Sequence, residues 1–118
     1  MFIIKNIYGG NEKKYITPGQ KNKVIDTEFG KIGIVICFDI AFPNETMKLS
    51  NKGAWIIFCP VDEVGWDDDI IPKFTPIVRA YENSCYFATC DVCDGDSVSI
   101  STIASPKRIL NRLLRKKE

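Results

Sequence analysis

Five cysteines and no histidine frame the chemistry available to this 118-residue chain. Cys37 ends the run Gly-Lys-Ile-Gly-Ile-Val-Ile (30–36), whose β-branched, near-continuous apolar character reads as a buried strand. A loop then leads through Phe42-Pro43 into helix-forming residues. A cysteine at the exit of a buried strand, before a turn into a helix, stands where a nucleophile elbow presents a reactive side chain. On position alone a core cysteine is the plainer reading, since free cysteine is among the most buried residue types. Without histidine a papain-type Cys–His dyad is impossible, so a carboxylate or a lysine must manage the proton of a nucleophilic Cys37.

The other cysteines (59, 85, 90, 93) suggest no second centre. An odd count with several members in strand-like runs suits reduced thiols better than a disulfide frame. Cys90-Asp-Val-Cys93 has the spacing of half a zinc site or of a redox pair. With no second pair and no histidine it reads as structural, and no metal is expected.

The elements that must position Cys37 follow from the patterning. Residues 1–7 resemble the end of a strand before a Gly9-Gly10-Asn11 turn, and 11–19 form a polar loop closing on Pro18-Gly19. Lys23–Phe29 alternates loosely as a strand, and Gly30 turns it into the Cys37 strand as a hairpin. Residues 44–52 suit a helix with Met47 and Leu49 on its buried side and Gly53 as its stop. Ala54–Cys59 is a second buried strand, stopped by Pro60, so strand, helix and strand make a βαβ unit. Residues 61–69 are an acidic loop. In 70–84, Ile77, Val78, Ala80 and Tyr81 recur at helical spacing, and Pro72 and Pro76 are expected to confine the regular part to the second half. Strands follow at 86–91 and 98–104. The tail 108–118 is a basic amphipathic stretch with Ile109, Leu110, Leu113 and Leu114 on one face; it reads as a frayed terminal helix covering its own sheet rather than a membrane or partner contact.

Composition bounds the function classes. The length suits one domain, and 45% apolar with 26% charged residues is ordinary for a soluble globular protein. A formal charge of +1 provides no field to draw nucleic acid. The longest apolar runs are too short for a bilayer, and no signal peptide is visible, so cytoplasmic is the expected location.

The wording around Cys37 adds more. Gly-Lys-Ile-Gly-Ile-Val-Ile-Cys-Phe-Asp-Ile-Ala-Phe-Pro resembles the nucleophile segment of the nitrilase superfamily, the carbon–nitrogen hydrolases. Asn44 stands where an acid is usual in that family, and Glu45 follows one place later. The resemblance extends from about residue 3 to 107. It implies an α/β fold, part of a four-layer α-β-β-α sandwich, made by residues 1–107 with 108–118 as an appended tail. It implies Cys37 as nucleophile and Lys5 as the ammonium that stabilises the oxyanion, although Ile7 replaces a usual histidine. Glu12 falls on an auxiliary loop glutamate. Phe38, Asp39 and Trp66 are implied to lie beside substrate. Arg79-Ala-Tyr-Glu-Asn (79–83) resembles a segment whose arginine, glutamate and asparagine tie a helix to the scaffold near the site. Asp91 and Arg108 replace a usual asparagine and glycine.

The same resemblance implies hydrolysis of a small amide, carbamoyl compound or nitrile through a thioester, with no cofactor. The family's general-base glutamate lies in a portion of the domain with no counterpart before Lys5. The chain is therefore expected to be either an enzyme completed by another source of that carboxylate or a catalytically incomplete remnant whose exposed sheet drives association. Expected partners are the small-molecule substrate and a second copy or a complementing N-terminal chain, without nucleic acid or membrane.

Overall fold

A computed structural model describes residues 11, 14, 15, 17–19, 21–62, 70–91 and 101–106. The expectations for residues 1–7, Lys5, Glu12, Trp66, Cys93, the first three residues of the strand at 98–104, and the tail with Arg108 lie outside these residues.

One mixed sheet organises the described chain, in the order β1 (Val24–Thr27), β2 (Gly30–Ile34), β3 (Ile56–Val61), β4 (Tyr86–Asp91) and β5 (Thr102–Ala104). β2, β3 and β4 are parallel, and β1 and β5 pair antiparallel at the two edges. Helix α1 (Pro43–Ser50) connects β2 to β3, and α2 (Ile70–Asn83) connects β3 to β4. This is the α/β class expected from the βαβ pattern.

The β1–β2 hairpin turns at Glu28-Phe29, where the Thr27 hydroxyl donates to the Gly30 carbonyl at 2.6 Å and accepts from the Phe29 amide at 3.2 Å. Gly30 sits at φ 109°, and a Cβ there would fall 2.8 Å from Trp55 Nε1, so only glycine suits the turn.

Alternation along the strands separates two faces. Val35, Ile57, Cys59, Val61, Phe87 and Ala104 form the core with Leu49 of α1 and Ala80 of α2. Full burial of a side chain such as Leu49, Ile57 or Phe87 contributes about 1.5–3 kcal/mol. On the opposite face Ile34, Phe58, Ala88 and Ile103 stand in register across four strands, and Ile25, Ile32, Ile56 and Tyr86 form a parallel row. Ile103, Phe58 and Tyr86 of these rows are exposed.

Three expectations are corrected. Met47 is exposed while Thr46 and Leu49 are buried, because residues two apart lie on different sides of a helix and residues three apart share one. α2 runs through both prolines. Pro72 falls in its first turn, where an amide has no intrahelical acceptor, and Pro76, itself buried, sacrifices one bond. β3 likewise continues through Pro60 to Val61. The Phe58 carbonyl faces β2, where it accepts from the Val35 amide at 3.0 Å. Pro60, two residues on, turns the same way, past the end of β2, where no ladder amide is needed.

Candidate active site

Cys37 lies where the chain leaves β2, at the carboxyl ends of the parallel strands. That edge of an open α/β sheet is where ligands are commonly received. Ile36 is still extended (φ −125°, ψ 120°), but Cys37 is at φ 48°, in the left-handed region. Ser84 is the one other non-glycine with positive φ among the described residues. For an L-residue this conformation costs about 1–2 kcal/mol, so the surroundings must hold it.

They do so from two sides. Cys37–Ala41 is a 3-10 turn in which the Asp39 amide donates to the Ile36 carbonyl and the Phe42 amide to the Asp39 carbonyl, both at 3.1 Å. The Asp39 carboxylate turns back and accepts from the Ile36 amide through Oδ2 at 3.1 Å. From α2, Arg79 Nε donates to the Ile40 carbonyl at 2.9 Å and Nη2 to the Ala41 carbonyl at 3.3 Å, while Nη1 pairs with Glu82 at 2.8 Å. The guanidinium is buried and supplies its planar fork to three acceptors.

The Cys37 thiol is half-buried, with Sγ 3.8 Å from the Asp62 carbonyl at the end of β3. Beneath it, the buried Cys59 thiol points to the Cys37 carbonyl at 3.9 Å. Phe38 meets Phe42 edge to face, ring centroids 5.3 Å apart. The four described cysteines are free thiols, and no cluster of metal-ligating side chains occurs among the described residues.

Of the residues singled out from the sequence, the structure brings Cys37, Phe38 and Asp39 into one turn; Lys5, Glu12 and Trp66 lie outside the described residues. Asp39 is directed inward and is only 1% exposed, so its carboxylate is engaged with the backbone of the turn. Asn83 donates to Thr46 Oγ1 at 3.3 Å and to the Arg79 carbonyl at 2.9 Å, and accepts from Ser50 at 3.0 Å, tying α2 to α1. Sequence reasoning gave Glu45 no role. It is buried, accepts from Asn22 Nδ2 at 2.9 Å and from Lys48 Nζ at 2.6 Å, and so fixes the segment before β1 to the start of α1. Lys52 Nζ donates to the Asn22 carbonyl in the same cluster. An acid displaced by one residue from its usual place was the available signal.

The fold agrees with comparisons to known proteins. The family model for carbon-nitrogen hydrolases matches residues 5–113. A nitrilase from Pyrococcus abyssi is 38% identical over 101 residues, covering 81% of this chain and 37% of that protein. An omega-amidase of Saccharomyces cerevisiae is 39% identical over 57 residues, covering 48% of this chain and 20% of that protein. Among solved structures, Saccharomyces cerevisiae Nit3, of the nitrilase superfamily, superposes with a TM-score of 0.69 at 28% identity, over 81% of this chain and 37% of Nit3. An amidase from Nesterenkonia AN1 superposes at 0.74 with 22% identity, over 89% of this chain and 42% of the amidase; this likeness is one of fold.

The chain belongs to the carbon-nitrogen hydrolase family. It spans well under half the length of these relatives.

Proposed function

We propose that Cys37 is the nucleophile of a carbon–nitrogen hydrolase acting on a small amide, carbamoyl compound or nitrile. The observation that carries this reading is the left-handed Cys37, held on a braced turn at the carboxyl edge of the parallel strands. Relatives named as nitrilase and omega-amidase support the reaction class.

For an amide the step runs as follows. A carboxylate base takes the thiol proton, and the thiolate attacks the carbonyl carbon to give a tetrahedral oxyanion. The C–N bond then breaks, and the nitrogen leaves as ammonia or an amine carrying the transferred proton. Water attacks the resulting thioester, releases the acid and restores the thiol. A free thiol near pKa 8.5 is only slightly ionised at neutral pH, so base and cation assistance both matter. Lys5 is the cation in this proposal, stabilising the oxyanion; preorganised charge of this kind contributes about 3–4 kcal/mol. Glu12 or a complementing chain supplies the carboxylate, with Phe38 and Trp66 beside the substrate.

Iodoacetamide alkylation against pH, followed by peptide mass spectrometry, tests the reading in the chain and in Lys5→Ala. Expected is Cys37 reacting below pH 7 ahead of the other four cysteines, with that lead lost in Lys5→Ala. Five thiols reacting alike would overturn it.

A second reading, an incomplete remnant that acts by association, is favoured by the exposed Phe58, Tyr86 and Ile103 on the sheet's open face. Its expected signature is a concentration-dependent oligomer in analytical ultracentrifugation, with Cys37 no more reactive than its neighbours.

A further inference from the structure

We propose that Asp39 is a positioning residue, whose buried carboxylate holds Cys37 in its left-handed conformation by capping the Ile36 amide. The proposal rests on Cys37 being the nucleophile.

Among the described residues, the Ile36 amide has no backbone partner in the sheet. The Val35 amide faces β3, where it meets the Phe58 carbonyl at 3.0 Å. Ile36, one residue later, faces the β1 side. The β1–β2 register ends at Val24 opposite Gly33, so β1 offers no ladder acceptor at this point. A half-buried amide left without an acceptor is costly. Asp39 Oδ2 fills that place at 3.1 Å. This is the acidic half of a capping box, in which the third residue of a turn reaches back to the amide that precedes it. The other side of Ile36 is an isoleucine side chain and cannot reciprocate.

Two bonds therefore join residues 36 and 39: carboxylate to amide, and the Asp39 amide to the Ile36 carbonyl at 3.1 Å. Together they close a ring around Cys37 and Phe38. Within it Cys37 cannot relax from φ 48° to an extended conformation without breaking one of them. An acceptor carrying a full charge makes the bond stronger than a neutral one. Asp39 acts here through Cys37, and 1% exposure leaves it no surface for substrate.

The test uses the intact chain and its Asp39→Ala and Asp39→Asn variants. It combines native-state hydrogen exchange at the Ile36 amide with alkylation of Cys37 relative to the exposed Cys90. In Asp39→Ala, Ile36 exchange is expected to rise about tenfold and the lead of Cys37 over Cys90 to fall about tenfold. Buried Cys59 and Cys85 stay shielded, which reports that the protein is folded. Asp39→Asn keeps an acceptor and is expected to restore both quantities to within about threefold. Unchanged Ile36 exchange, or an undiminished lead of Cys37, in folded Asp39→Ala overturns the proposal. If Asp39→Ala instead exposes Cys59 and Cys85, Asp39→Asn decides: retained protection and lead support the role, and loss of both ends it. A wild-type Cys37 no faster than Cys90 defeats the nucleophile reading instead, and Ile36 exchange still decides whether Asp39 holds the turn.

Discussion

Arg79 Nε donates to the carbonyl of Ile40 at 2.9 Å, across 39 residues of sequence, and so fastens the C-terminal half of α2 to the turn that bears Cys37. The same guanidinium serves Ala41 and Glu82, so its removal leaves two carbonyls and a carboxylate short of a donor. Arg79→Met is expected to destabilise the fold by about 3 kcal/mol, read as a fall in thermal midpoint. Arg79→Lys cannot reproduce the fork and is expected to recover less than half of that loss. A thermal midpoint for Arg79→Lys equal to wild type would show that charge alone suffices.

Gly33 is a point where α1 lies close on the sheet. A Cβ there would stand 3.0 Å from Leu49 Cδ1, 3.1 Å from Leu49 Cβ and 3.2 Å from Ile57 Cγ1. Gly33→Ala is therefore expected to cost about 1–3 kcal/mol by overpacking. Leu49→Ala alone costs about 2–5 kcal/mol through the cavity it leaves. Because the new methyl partly fills that cavity, urea unfolding of the double variant should give less than the sum.

Glu45 and Lys48 form one ion pair with unequal ends. The Glu45 side chain is 9% exposed and the Lys48 side chain 51%, so only the first is committed to the interior. Lys48→Ala is expected to change stability by less than about 1 kcal/mol. Glu45→Ala also removes the carboxylate that accepts from Asn22, leaving that amide only the Glu45 carbonyl at 3.3 Å, and about 1–3 kcal/mol is expected. Chemical denaturation of the two variants separates these outcomes.

Burial pushes the Cys85 thiol up to about 11 from the ordinary thiol range. In the unfolded chain the thiol ionises at lower pH, so between about pH 9 and 11 the folded protein holds more protons than the unfolded one. Stability is therefore fully present below that window and falls as pH rises through it. Cys85→Ala removes this contribution, so its unfolding free energy is expected to decline less steeply over the window than that of the wild type. Parallel slopes would exclude Cys85 as the source.

Local signals explain what the sequence disclosed. The β-branched runs at 32–36 and 54–59, the glycine turn at 30 and the placement of Cys37 at a strand exit each depend on neighbouring residues, and each reappears in the fold. What escaped depends on partners distant in sequence. Pro60 is tolerated only because β2 has already ended beside it, and Pro76 because its own ring is buried within α2. Asp39 shows in the sequence only as an acid two residues after Cys37; that its carboxylate turns inward to the Ile36 amide depends on where the β1–β2 ladder ends. The Asp62 carbonyl near the thiol is backbone, which no residue type announces.

The termination of β2 before β3 also fixes the polarity of the ground beside the thiol. There the Asp62 carbonyl, one residue past the end of β3, stands 3.8 Å from Sγ. That carbonyl oxygen is electron-rich and disfavours negative charge beside the thiol. If Cys37 is the nucleophile proposed above, an anion formed there is better stabilised by a donor on the side of the thiol away from Asp62.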